Sequence, residues 1–350
     1  MKAQVLYGIN NLKFESNYEE PVLHDGEVLV EVRACGICGS DIDRVLKNGT
    51  YHFPTIIGHE FSGIVRKIKN DENKSWLNKR VSVFPLIPCM KCTSCKSGNY
   101  QLCEKYNYLG SRCNGGFAEL VSVPVWNLIE IPDGVSYEEA AMMEPCSVAM
   151  HALKMAENIL GRNVVITGSG TITSMLVKIA MASGAAHVVV LARNVEKIKY
   201  LQNLIPNAFF INSDDGNFIE EVNNAVGSTI DIVIEGTGAS NMLEKAITLV
   251  SRKGVVVVMG NPSNDISLNK NSYWQILRKE LIIKGTWNSV FGIDGKSDWN
   301  DVFSLMKTGK LNIKNLISHK INLKNLMDGI LLMKNKTEIS NKVMVVKNEE

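Results

Sequence analysis

The sequence predicts a chain of two domains, the second an α/β domain built on a doubly wound parallel sheet. Three observations carry that expectation. The chain has 350 residues, more than twice the roughly 150 of a typical domain. Its second half places an apolar strand, a glycine turn and a helical run in direct succession, then repeats strand and helix. Its first half instead gathers cysteine, histidine and carboxylate at short spacings.

Composition narrows the function classes first. With 45% hydrophobic and 21% charged residues the chain has the apolar material of an ordinary globular protein, which excludes disordered and fibrous classes. Lys plus Arg number 38 against 36 Asp plus Glu, a net +2. Scattered charges of that balance make no basic field for a phosphate backbone or an anionic membrane, so neither nucleic acid nor lipid is expected as a partner. The start, Met1-Lys2-Ala3-Gln4-Val5-Leu6-Tyr7, alternates like a strand and lacks the apolar core of a signal peptide. No run of about 18 apolar residues occurs. A soluble, cytoplasmic protein is expected.

Four of the eight cysteines cluster at Cys89, Cys92, Cys95 and Cys103. Two-residue gaps let thiolates converge on one small ion from a tight loop, and the step to Cys103 supplies a fourth vertex. Four sulfurs close the shell, so a structural zinc is expected, fixing a segment (91–100) too polar to fold by apolar burial. Disulfides are the alternative, disfavoured in a reducing compartment.

A second set differs chemically: Cys38-Gly39-Ser40-Asp41, then Gly58-His59-Glu60-Phe61-Ser62-Gly63. Sulfur, imidazole and carboxylate make three protein ligands, the number used when a fourth position stays open for water or substrate. His59 alone would read as an ordinary hydrogen-bonded histidine; its neighbours make it a ligand candidate. Asp41 is a candidate acceptor for its other ring nitrogen, or simply a turn residue.

In the second half, Asn163–Thr167 reads as a buried strand, Gly168-Ser169-Gly170-Thr171-Ile172-Thr173 as the turn, and Ser174 to Ser183 as a helix. Gly168 permits the tight turn, Gly170 lets backbone approach a pyrophosphate, and the helix start offers N–H groups to the anion. Thr173 stands where a third glycine would sit, so helix and strand should part slightly or meet a small facing residue. Further strands are expected at His187 to Leu191, Ala208 to Ile211, Asp231 to Ile234, Gly254 to Met259 and Leu281 to Gly285, with helices at Val195 to Leu204, Asn217 to Val226 and Asn241 to Val250. Six parallel strands and a bound dinucleotide follow. The second strand ends Leu191-Ala192-Arg193-Asn194 without the acid that would hold a ribose 2′-hydroxyl. A small residue and a guanidinium suit a 2′-phosphate, hence NADP over NAD, unless Arg193 is only a solvated charge.

Over nearly its whole length the chain resembles the zinc-dependent medium-chain alcohol and polyol dehydrogenases, nearest their sorbitol-dehydrogenase branch. The residues that carry the resemblance are Gly36-Ile37-Cys38-Gly39-Ser40-Asp41, Lys47-Asn48-Gly49, Gly58-His59-Glu60-Phe61-Ser62-Gly63, Gly110-Ser111-Arg112, Gly115-Gly116-Phe117-Ala118-Glu119 and Leu277-Arg278-Lys279-Glu280-Leu281. It implies a mainly β, GroES-like catalytic domain over 1–147, completed by 291–350, and a Rossmann domain over 148–290. It implies a catalytic zinc on Cys38, His59 and Glu144, with Glu60 as alternate ligand or close neighbour, and a second zinc on the four clustered cysteines. Ser40 matches the hydroxyl that starts a proton relay. Asp43 stands where the relay's histidine is usual, so the proton is expected to leave through Asp43 or water.

The implied reaction is reversible oxidation of a secondary alcohol on a polyol or polyol phosphate, with hydride passing to NAD or NADP. Phosphate recognition needs cations, for which Arg112 and Lys47 are the candidates. The resemblance also implies a homodimer or homotetramer. His24, His52, His151, His187 and His319 take no role, and Cys35, Cys113 and Cys146 read as core thiols. An enzyme of the same family acting on sorbitol or another polyol, threonine or a butanediol is the alternative, and a non-catalytic dinucleotide-binding protein is the rival of another class.

Overall fold

The computed structural model describes residues 1–292 and 297–347. They form two compact units: Met1–Pro145 with Val290–Lys307 and the chain from Lys314 onward, and Cys146–Ser289 with Thr308–Ile313. Nothing in the sequence signalled the excursion at Thr308–Ile313. Of the short polar tail that the sequence shows at Lys347 to Glu350, residues 348–350 lie outside the described residues.

The first unit is mainly β. It opens with β1 (Ala3–Leu6), β2 (Leu12–Glu15) and the ten-residue β3 (Glu27–Gly36), then a short α1 (Gly39–Asp43) that runs on as a π turn over Arg44–Asn48. β4 (Thr55–Ile56), β5 (Glu60–Ile68), β6 (Arg80–Val83) and β7 (Leu86–Ile87) follow, then α2 (Thr93–Lys96), β8 (Asn107–Tyr108), β9 (Leu120–Pro124), β10 (Leu128–Glu130) and α3 (Tyr137–Ala141), after which α4 (Met143–Met155) carries the chain from this unit into the second. In β3, Val28, Val30 and Val32 alternate inward into the core that holds Val65, Val81, Val121 and Val123, the period-two pattern of a strand with one face in the core.

The second unit is a six-stranded, all-parallel sheet. Its strands are β11 (Asn163–Thr167), β12 (His187–Ala192), β13 (Phe209–Asn212), β14 (Ile232–Glu235), β15 (Val255–Val258) and β16 (Ile282–Gly285), in the spatial order β13-β12-β11-β14-β15-β16. The helices between them are α5 (Thr171–Ala182), α6 (Val195–Leu204), α7 (Phe218–Val226), α8 (Ser240–Leu249) and α9 (Lys270–Arg278). Every residue of β11 is buried, as a central strand covered by helices on both faces requires. The strand order reverses beside β11, and in such sheets ligands bind at the carboxyl ends near that point.

The chain then returns to the first unit through α10 (Asp298–Lys307), β17 (Ile317–Ile321), α11 (Leu326–Asn335) and β18 (Lys342–Val346). β18 inserts between β17 and β3, giving the order β10-β6-β5-β3-β18-β17 with β9 also on β3; β2-β1-β4 form a separate sheet. Phe291 stacks on Phe84 with ring centroids 4.7 Å apart, and the fully buried Trp299 meets both rings edge-on.

The glycine turn supplies the small facing residue expected opposite Thr173. Gly168 has φ +105°, and a Cβ placed there would stand 3.3 Å from Thr173 Oγ1, so the small facing residue that Thr173 requires is Gly168 itself. Gly168→Ala is expected to lower the stability of the second unit by about 1–3 kcal/mol through backbone strain and to weaken NAD(P)H binding. Thermal melting and a fluorescence titration measure both, and an unchanged melting temperature contradicts this account.

Candidate functional site

The first site is built where β3 ends and β5 begins. Cys38 caps α1 in an extended conformation (φ −90°, ψ 152°), and its N–H donates to Asp41 Oδ2 at 3.0 Å. Asp41 is fully buried and takes a second bond from Arg44 Nη1 at 2.7 Å. That guanidinium also donates to Ser40 Oγ at 2.9 Å. Burial works against the Asp41 charge, but His59, Arg44 and the Cys38 N–H outweigh it and hold its carboxyl at about 2.

His59 comes from the turn before β5. Its Nδ1 lies 3.4 Å from Arg44 Nη1 and 3.5 Å from Asp41 Oδ1, so the ring is oriented by neighbours at one nitrogen, as is common for ligand histidines. Gly58, at φ +97°, makes that turn possible: a Cβ there would stand 2.7 Å from the Phe117 ring and 2.9 Å from Cys35 Sγ. The thiol of Cys38, the imidazole of His59 and the carboxylate of Glu60 lie within 4.8 Å of one another.

Glu60 and Lys342 form an ion pair with both side chains buried, and Lys342 Nζ also donates to the Ile37 carbonyl at 3.2 Å. The carboxylate occupies the space beside Gly36, where a Cβ would sit 2.2 Å from Glu60 Oε2. Glu144, expected as a ligand, is not in the gathered group. It is buried at the start of α4, accepts from the Tyr108 hydroxyl at 3.2 Å, and has its carboxyl pushed up to about 7 by burial, with Glu60 adding to the rise. The Tyr108 ring in turn lies 5.8 Å from His59.

Outside this set, Asp43 is half exposed and pairs with Lys47 at 3.0 Å.

The four clustered cysteines also converge. Cys92 caps α2, Cys95 lies within it, and Cys89 and Cys103 flank it. Their sulfurs stand 3.5 to 4.0 Å apart in the pairs Cys92–Cys95, Cys89–Cys95 and Cys92–Cys103. A tetrahedron of Zn–S bonds of about 2.3 Å has edges of about 3.8 Å, so the donors fit zinc. They are far from the roughly 2.05 Å of a disulfide, and among the described residues Cys35, Cys113 and Cys146 form no disulfide either.

In the second unit, Gly170 caps α5 and brings no side chain to the first-turn N–H groups of Thr171 and Ile172, the setting in which a helix start receives an anion. Ala192 is buried at the end of β12 and Arg193 is exposed beyond it. Glu235, fully buried at the end of β14, accepts from Thr167 Oγ1 at 3.2 Å and from the Thr237 N–H at 2.8 Å. It thereby locks the ends of β11 and β14 beside the turn.

Sequence reading did not single out Lys342, Arg44, Tyr108 or Glu235. Only Lys342 left a trace, a lysine opening the apolar run Val343–Val346, and an edge strand has the same pattern.

Two family models match the chain: an alcohol dehydrogenase GroES-like domain over residues 24–133 and a zinc-binding dehydrogenase over 171–308. The chain belongs to the zinc-dependent medium-chain alcohol and polyol dehydrogenases and is an NAD(P)-dependent enzyme. Among curated relatives, galactitol 1-phosphate 5-dehydrogenase of Escherichia coli is 30% identical over 300 residues, 85% of this chain and 86% of that protein. D-xylulose reductase A of Aspergillus oryzae is 31% identical over 324 residues, 90% of this chain and 88% of that one. Of solved structures, Escherichia coli galactitol-1-phosphate dehydrogenase superimposes with a TM-score of 0.89 at 28% identity over 99% of this chain and 100% of that one. An Escherichia coli alcohol dehydrogenase complexed with NADH (TM-score 0.88, 26% identity, 99% of both chains) and a Sinorhizobium meliloti zinc-binding dehydrogenase bound to NADP (0.86, 26%, 99% of both) share the fold.

Lys342→Met removes one partner of a buried ion pair and leaves Glu60 uncompensated, which typically costs about 3–5 kcal/mol. Denaturant unfolding of the first unit is expected to show a loss of that size; a loss below about 1 kcal/mol contradicts the pairing.

Proposed function

We propose that the chain is a galactitol 1-phosphate 5-dehydrogenase, oxidising a secondary hydroxyl of a polyol phosphate to the ketone while NAD(P)⁺ takes the hydride. The observation that carries the reading is the convergence of Cys38, His59 and Glu60 within 4.8 Å, in a chain 30% identical to an enzyme of that name. These three side chains would hold the catalytic zinc, with Glu144 as the carboxylate behind them, and the four clustered cysteines would hold a second, structural one. When bound, the catalytic ion supplies the Lewis acidity that lets an alcohol lose its proton near neutral pH, and the nicotinamide supplies the hydride acceptor.

The chain's own groups do the rest. Ser40 takes the alcohol's proton and passes on its own, with Arg44 fixing the hydroxyl from 2.9 Å. Asp43, half exposed and paired with Lys47, or water would carry that proton on to solvent. Gly168, Gly170, Thr171 and Ile172 receive the pyrophosphate, and Ala192 with Arg193 favours the 2′-phosphate of NADP. Likeness to D-xylulose reductase A, 31% identical over 324 residues, supports a second reading, an unphosphorylated polyol as substrate.

A cytoplasmic homo-oligomer completes the proposal. No helix among the described residues is long and apolar enough to cross a membrane. β16 pairs only with β15 among the described strands and exposes Ile282 and Ile283, and α9, which precedes it, exposes Trp274 and Leu277. An apolar sheet edge of this kind is a template for a second copy, and sedimentation would give the order of the assembly.

Metal analysis is expected to return two zinc ions per chain for the wild type and one for Cys92→Ser. Cys38→Ser should lower kcat/KM by at least about 1,000-fold, a loss of about 4 kcal/mol in the transition state, while NAD(P)H binding persists. Turnover retained by Cys38→Ser sinks the metal reading. Equal or better rates on galactitol and sorbitol than on galactitol 1-phosphate favour the second reading, and a large preference for NADH removes the role given to Arg193.

A further inference from the structure

Among the described residues, three cations on the loops and strand around the first site are matched by carboxylates: Arg44 by Asp41, Lys47 by Asp43, and Lys342 by Glu60. Arg112 is not so matched. Among the described residues no carboxylate lies within 4.0 Å of its guanidinium, which is instead sandwiched between two rings, 4.2 Å from the centroid of Tyr51 and 4.3 Å from that of Tyr106. Its Nη2 donates to the Tyr51 hydroxyl at 3.2 Å and its Nη1 to the Tyr106 carbonyl at 3.3 Å.

A guanidinium carries five N–H donors. Two are used here, and the rings hold the plane in one orientation while leaving its charge uncancelled. Such a group is preorganised for an anion with several oxygens, and phosphate matches its fork.

The position is as informative as the chemistry. The N–H groups of Ser111, Arg112 and Cys113 all point at the Tyr108 carbonyl, at 3.2, 2.9 and 3.2 Å. Tyr108 is the residue whose ring lies against His59. Gly110 packs on the residue before His59, since a Cβ there would stand 2.5 Å from the Gly58 carbonyl oxygen. His52 fixes the other side of the turn, its Nε2 lying 3.2 Å from the Arg112 carbonyl. The guanidinium is thus anchored through rigid backbone to the ligand turn, yet displaced from the ligands themselves. The phosphate of a polyol phosphate is likewise displaced from its reacting hydroxyl by the carbon chain.

We propose that Arg112, clamped between Tyr51 and Tyr106, is the residue that recognises the substrate's phosphate and so sets the preference for a polyol phosphate over the free polyol. Lys47, the other cation considered for this role, is already paired with Asp43 and largely exposed. The inference rests on the phosphorylated-substrate reading above, and its test separates the two.

Kinetics of the zinc-loaded wild type and of Arg112→Gln are measured on galactitol 1-phosphate and on galactitol, with melting temperature and zinc content as controls. The ratio of kcat/KM for the phosphate ester over the free polyol is expected to fall about 10- to 100-fold, the worth of one or two charge-assisted hydrogen bonds, mostly through KM. Arg112→Lys, which keeps the charge but not the fork, should recover part of that ratio, and it carries the comparison if Arg112→Gln does not fold. An unchanged ratio, whether both substrates suffer equally or neither does, overturns the proposal. Should the wild type prefer galactitol, the substrate reading fails by itself. Calorimetric titration with inorganic phosphate then decides for Arg112: binding weakened 10-fold or more in the variant supports it, and equal binding, or none to the wild type, overturns it.

Discussion

A buried lysine and a buried glutamate hold the first unit's architecture in place. Burying charge in a protein interior costs several kcal/mol per ion unless a partner stands close, and Glu60 lies within 4.8 Å of Cys38 and near enough to Glu144 to raise its carboxyl. Lys342 comes from the last strand of the chain and donates to the Ile37 carbonyl across 305 residues of sequence. It supplies the cation that makes such a set tolerable. That contact ties β18 to the end of β3, between β3 and the edge strand β17. At that end Gly36, lacking a side chain, leaves the space that the Glu60 carboxylate fills.

Arg44 plays the matching part on the other side of the site. By bridging Asp41 and Ser40 it compensates one buried carboxylate and orients one exposed hydroxyl. His59 is then held between groups that are themselves held. The glycines around it extend this rigidity: Gly110 and Gly115 press on the Gly58 carbonyl at distances no side chain would allow, and the Gly116 N–H donates to that same oxygen at 2.8 Å. Ligand side chains fixed by their supporting shell can meet an ion without reorganising.

The second unit solves a simpler problem with fewer charges. Thr173 departs from the usual glycine, and the turn absorbs it because Gly168 has no Cβ to oppose it. Glu235 is the one buried carboxylate in that region with a dense set of donors, taking N–H and hydroxyl bonds from Thr167, Thr237 and Gly238. Its partners are neutral dipoles, which suffices because it sits at strand ends where free backbone N–H groups abound.

The sequence by itself determined whatever depends on local spacing. Strand and helix alternate in the second half because periodicity and glycine placement act within about 20 residues; α6, expected at Val195 to Leu204, spans those residues. The four cysteines and the Cys38, His59 and Glu60 group were legible because residues close in sequence offered a recognisable donor set. Tertiary structure alone decided what depends on contacts between distant segments: the Lys342 pairing with Glu60, the placement of Glu144 against Tyr108, and the clamp on Arg112. A lysine, a glutamate and an arginine look alike in a sequence whether they are solvated or buried. Only the folded chain sets the dielectric and the partner that give each its role.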